Sequence, residues 1–187
     1  MKKFALLFLA LGLTFLACNN NDDDGPTTEN TLRYDGDNAT GPLLAAGVHE
    51  AAARFPASVL SEFVGRNLSS ISCFIGNVPQ NIKVKVYAEG TFDQPGALLF
   101  SADITGSVAA PSWNEIPLSN PIEILDEDLW ISVEVTHAQT QQSIGCDNGP
   151  ADANGDWLFS DSDNDWIRYT QRTGESVNWN IRGTISD

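Results

Sequence analysis

The sequence predicts an all-β domain, an antiparallel β-sandwich with one short helix, on three observations. Apolar and polar residues alternate with a period of two: Ile82, Val84 and Val86 interleave with Lys83, Lys85 and Tyr87, and Ile131, Val133 and Val135 with Ser132, Glu134 and Thr136. Pro and Gly punctuate these runs at Pro95-Gly96, Pro111, Pro121 and Gly149-Pro150. About ten such short runs follow one another without a repeat of 20–50 residues, which favours two packed sheets over a solenoid.

A leader precedes the domain. Lys2-Lys3 is followed by an apolar run from Phe4 to Ala17, 14 residues. That is shorter than the roughly 20 residues a membrane-spanning helix needs and fits the core of an export signal. The run ends Phe15-Leu16-Ala17-Cys18, a small residue directly before a cysteine. This resembles a bacterial lipoprotein processing site, with 1–17 as signal peptide and Cys18 acylated (palmitate among its lipids) as the new N-terminus. It departs from that pattern in carrying Phe15 where an aliphatic residue is usual, and ordinary cleavage near Ala17 would instead release a secreted protein. Residues 18–30 begin Cys18-Asn19-Asn20-Asn21-Asp22-Asp23-Asp24 and hold no strongly apolar side chain, so they read as a disordered tether. The acidic triplet resembles the surface-export signal of Bacteroidota lipoproteins, which implies a lipid-anchored protein of the outer membrane, exposed at the cell surface.

The domain itself occupies 31–187. Its candidate strands are 51–55, 70–75, 82–87, 97–104, 113–118, 131–135, 155–160, 166–170 and 177–184; the helix is Pro56 to Phe63, with Pro56 suited to a first turn. Lys and Arg number 10 against 25 Asp and Glu, a net charge of -15. Such a surface argues against nucleic acid and against docking on anionic lipid through basic residues. With 42% hydrophobic residues the chain can still bury a core.

Catalytic signatures are weak. There is no Gly-x-Ser-x-Gly elbow. His49-Glu50-Ala51-Ala52-Ala53 starts like a zinc-protease helix but has Ala53 where the second histidine ligand belongs. His137 stands alone at a strand end. Glu115, Glu123 and Glu134 offer carboxylates of the kind that cleave glycosides, but nothing in the sequence pairs them. The expectation is a non-enzymatic protein.

The acidic loops carry more. Asp147, Asp152, Asn154, Asp156, Asp161, Asp163 and Asp165 present hard oxygens close together, a ligand set suited to calcium, although neither loop is an EF-hand. The same residues are equally suited to surface turns. Asp35 and Asp37 could join such a site. Trp157 and Trp166 flank these loops, and rings beside carboxylates and amides hold sugars, so both are candidate ligand-binding residues. Trp113 and Trp179 lie in alternating segments and are expected in the core; Trp130 has the parity opposite to Ile131 and faces outward or into a second layer. Cys73 and Cys146 remain after Cys18. In an exported chain they form either a disulfide contributing about 4 kcal/mol or two buried free thiols.

The motifs also run in a recognisable order. Leu32-Arg33-Tyr34-Asp35, Ala53-Arg54-Phe55-Pro56, Val84-Lys85-Val86-Tyr87, Pro95-Gly96-Ala97, Trp113-Asn114-Glu115-Ile116, Leu129-Trp130-Ile131, Ile144-Gly145-Cys146-Asp147 and Asn178-Trp179-Asn180-Ile181-Arg182 together resemble the jelly-roll domains of Bacteroidota surface lipoproteins and secreted peptidases. They are more distantly similar to gingipain adhesin domains. The resemblance implies a jelly-roll sandwich with an adhesive or accessory role, binding a glycan or a surface protein. A structural envelope component docking on partner proteins, or an accessory module of a secreted hydrolase, is the alternative.

Overall fold

The computed structural model describes residues 27–28 and 30–187. The expected leader over 1–17, Cys18 and the tether as far as residue 26 lie outside the described residues. Among the described residues no helix is long and apolar enough to cross a membrane.

The strands are β1 (Thr27–Thr28), β2 (Thr31–Leu32), β3 (Gly47–Phe55), β4 (Asn67–Ile75), β5 (Asn81–Tyr87), β6 (Leu98–Asp103), β7 (Ser112–Glu123), β8 (Leu129–His137), β9 (Trp157–Ser160), β10 (Asp165–Arg168) and β11 (Ile181–Ser186). They form two antiparallel sheets, β1-β2-β11-β4-β7 and β10-β9-β3-β8-β5-β6. The sandwich read from alternation is the fold. Its core takes alternate residues from each strand: Ala51, Ala53 and Phe55, Ile82, Val84 and Val86, Ile131, Val133 and Val135 from the larger sheet, and Leu68, Ile71, Cys73, Ile75, Ile181 and Ile185 from the smaller, where a bulge at Ser69 shifts the parity of β4 between Leu68 and Ile71. Gly183 interrupts the β11 series because the layers meet there. A Cβ added to it would lie 2.7 Å from the Cδ1 atoms of both Ile131 and Leu68.

The expected helix is present as α1 (Ala57–Leu60) continued by a 3-10 turn, Ser61–Phe63, which together bury Leu60 and Phe63. Pro56 precedes it, and the Asp128 carboxylate accepts the Ala57 N–H at 2.9 Å. Three sequence expectations need correction. The tether does not run free to residue 30, because Thr27 and Thr28 pair with Leu32 and Thr31. The strand expected over 166–170 stops at Arg168, where α2 (Tyr169–Thr173) begins. The Asp156 carboxylate accepts the Thr170 N–H at 2.9 Å and its carbonyl the Tyr169 N–H at 2.7 Å, so a residue from before β9 caps that helix. Finally, the disulfide is not formed: Cys73 and Cys146 are both buried free thiols. Cys73 lies within β4, paired to Ile181 and Asn114, while Cys146 bridges to Thr40 and Trp179, so each is fixed by its own backbone partners. Burial pushes both thiols up to about 12.

Candidate functional site

A cleft of about 480 Å³ opens at one edge of the sandwich, where the 147–152 loop meets the stretch after β2 and the approach to β11. Asp147 organises it. Its Oδ1 accepts the N–H groups of Asn178 (2.7 Å) and Gly149 (2.8 Å); its Oδ2 accepts the Gly36 N–H (3.1 Å) and the Asn178 side-chain amide (3.0 Å). Asn178 extends the lattice, donating to the Pro150 carbonyl at 2.9 Å and accepting the Asp152 N–H at 2.7 Å. Gly149 allows the turn with φ of 71°. The floor of the cleft is therefore fixed before any ligand arrives.

Its walls are polar. Asp37, Asn148 and Asp152 line it beside Tyr34. The Tyr34 ring stacks on Phe55 at 5.1 Å, and its hydroxyl donates to the Arg54 carbonyl at 2.8 Å. Burial, with the nearby Asp152 charge, raises the Tyr34 hydroxyl far above its ordinary value. It stays a neutral donor. The result is a pocket rich in acceptors, suited to hydroxyl groups or to a hard cation, and without a nucleophile–base pair on its walls. Asp35, which sequence placed as a possible member, turns away: it receives Arg182 through Nε and Nη2 and the Asn180 amide at 2.7 Å.

The metal set expected from sequence does not assemble. Among the described residues no group of three or more His, Cys, Asp or Glu side chains is gathered for a metal ion. Only Asp147 and Asp152 of that set line the cleft. The others are held apart by separate partners: Asn154 accepts from Arg54 (3.0 Å), Asp156 is buried against Arg168 (2.7 Å), and Asp161 accepts the Val48 N–H (3.1 Å). Asp163 pairs with Arg172 (2.7 Å), and Asp165 accepts the N–H of the next residue.

The tryptophans are also redistributed. Trp157 is only 3% exposed, so it is no open platform for a sugar. It packs with Trp130 and Ala52 in a second apolar layer outside the larger sheet, under Phe92. Trp166 is half-buried on the same face, 6.0 Å from Trp130 and 5.8 Å from Phe159. Trp179 is in the core as expected. Trp113 is not: it is 37% exposed, with the Arg182 guanidinium 4.2 Å above its ring. A serine–histidine contact does occur, Ser143 Oγ to His137 Nε2 at 2.9 Å, but Ser143 is buried and serves to tie a loop down.

Comparison with protein-family models gives no match, and no curated protein matches the chain. Solved structures do. One is a clostridial cysteine protease, Cwp84, after propeptide cleavage, with a TM-score of 0.61 and 12% identity, covering 84% of this chain and 40% of that one. Another comprises the cysteine protease and lectin-like domains of Cwp84, a surface-layer-associated protein of Clostridium difficile, with a TM-score of 0.56, 14% identity and 82% and 37% coverage. The chain spans about two fifths of the length of these neighbours. At such identities the likeness concerns the fold. This chain shares a β-rich architecture with a surface-associated protein, and no family model or curated protein supports the resemblance to Bacteroidota lipoproteins or gingipain adhesins.

Proposed function

We propose that this chain is a non-enzymatic binding module for an extracellular glycan, held at the cell envelope by acylated Cys18 and presented from the outer surface. One observation carries the reading: the 147–152 cleft, whose loop floor is held by the Asp147–Asn178 lattice while exposed Asp37, Asn148 and Asp152 line the opening. Acceptors carried on loops whose backbone is fixed in this way suit the dense hydroxyls of a sugar. The fold shared with a protease chain that includes lectin-like domains supports it. Nucleic acid is disfavoured by the net charge of -15.

Calcium, for which exposed oxygen acceptors are suited ligands, is a second occupant of this opening in the same reading, although Asp37, Asp147 and Asp152 are not gathered into a ready metal site and Asp147 is already taken up by four N–H donors. A glycan array probed with the processed protein, and with Asp37→Ala and Asp152→Ala, tests the first reading: saccharide signal weakened by both substitutions is expected, and a dark array would overturn it. A melting temperature unmoved by chelator and by added calcium would dismiss the cation. Detergent-phase partitioning that survives Cys18→Ala would dismiss the anchor.

A further inference from the structure

The outer face of the larger sheet holds a second arrangement, distinct from the cleft. Strand register aligns Trp166 (β10) with Phe159 (β9), Phe159 with Glu50 (β3), Glu50 with Glu134 (β8), Glu134 with Lys83 (β5) and Lys83 with Asp103 (β6). Residues opposite one another share a face, so these six side chains form one row across all six strands. At about 4.8 Å per spacing the row is about 24 Å long.

Its two ends differ chemically. At one end Trp166 and Phe159 are partly exposed rings in contact with each other, and Trp166 also packs on buried Trp130, which leaves it little freedom to turn away. The layer is kept although the indole N–H groups of Trp130 and Trp157 have no acceptor within the described residues, which costs stability. The middle is a hydrogen-bonded ionic network. Glu50 is 5% exposed and accepts from Ser132 Oγ (2.5 Å), Tyr87 hydroxyl (2.8 Å) and Lys85 Nζ (2.8 Å). Glu134 accepts from Lys85 (2.5 Å) and Lys83 (3.0 Å). Two carboxylates balance two ammonium groups, so the network asks for no charged ligand, and it holds the Glu50 and Glu134 side chains in the middle of the row. Lys83 keeps donor capacity toward solvent. A row with partly exposed rings at one end and solvent-facing polar groups of Glu134, Lys83 and Asp103 toward the other, over a fixed ionic floor at Glu50, matches an extended sugar chain lying across the strands: a ring face stacks, and the hydroxyls bond to the exposed groups beyond Glu50.

We infer that this row is a second saccharide site, taking an uncharged oligosaccharide of several linked rings. Asp103 at its far end and the acidic chain as a whole disfavour uronate or sulfated chains. The inference rests on the glycan-binding reading proposed above and adds to it a different surface and a ligand class.

The test uses cellohexaose, xylohexaose and mannohexaose, all printed on the same array and titrated into the ¹⁵N-labelled processed protein. Expected are saturable shifts of the Trp166 indole N–H and of the amides of Phe159, Glu50, Glu134 and Lys83, with affinity roughly tenfold weaker after Trp166→Ala. Shift mapping on the unaltered protein keeps the test decisive where that variant misfolds. Array signal accompanied by shifts at Asp37, Asn148 and Asp152 alone would overturn the row and leave the cleft reading standing. A dark array would remove both.

Discussion

Replacing Asp147 by Ala should cost the domain far more than a surface carboxylate normally does. Four donors end on its two oxygens: the backbone N–H groups of Gly36, Gly149 and Asn178, and the Asn178 amide. Each buried donor left without an acceptor costs about 1–3 kcal/mol. The cleft admits water to some of them, so the four together should come to about 3–5 kcal/mol. In a domain of this size that lowers the melting temperature by about 10 °C. Asp147→Asn retains the shape but turns an amide N–H toward the Gly36 and Asn178 donors, and should fall between wild type and Asp147→Ala. Urea unfolding of the three proteins, with unchanged m-values, reads the differences. A loss below about 1 kcal/mol for Asp147→Ala would refute the claim that this carboxylate organises the cleft.

Other expectations follow from the same geometry. Gly183→Ala drives a methyl against Ile131 and Leu68 and should destabilise by about 1–3 kcal/mol in thermal melts; a neutral result would mean the sheets are not in close contact there. Cys73 and Cys146, pushed up to about 12 by burial, should resist iodoacetamide in the native protein and both react after denaturation without reductant; a sample needing reductant for that reaction would restore the disulfide. His137 is held below its ordinary 6.5 by burial and by His49 across from it, against the opposing pull of the Leu44 and Ala45 carbonyls. Its folded-state value is depressed, so its contribution is present above pH 6.5 and is lost as the pH falls toward that lower value. His137→Gln should therefore flatten the stability profile just below pH 6.5, and an unaltered slope would contradict the assignment.

The strands were legible because alternation is local. Ile82 to Tyr87 and Ile131 to Val135 show their parity in sequence, and the core takes those residues in full. Parity also placed Trp130 correctly on the side away from Ile131. Trp113 was misjudged although the signal was present: Ile116 and Leu118 face inward, so Trp113 belongs to the other face. What sequence could not show is pairing at a distance. Asp156 and Asp163 look like free oxygens until Arg168 and Arg172 arrive beside them, and Asp161 until the Val48 N–H does. Trp157 looked exposed because the rings covering it, Trp130 and Phe92, come from β8 and from the connection between β5 and β6. Glu50, read only within a failed zinc-protease pattern, and Glu134, read as a carboxylate without a partner, become neighbours only through the β3–β8 register. Of the cleft, Asp147, Asp152 and Asp37 were anticipated; the role of Asn178 as its second pillar carries no sequence signature.

Calorimetric titration of the processed protein with the strongest saccharide from the array, followed by chromatography of the recovered sugar, examines the proposed role most directly. Saturable heat with the saccharide returned intact is the predicted result. Saccharide recovered in fragments, or no heat at any concentration, would contradict it.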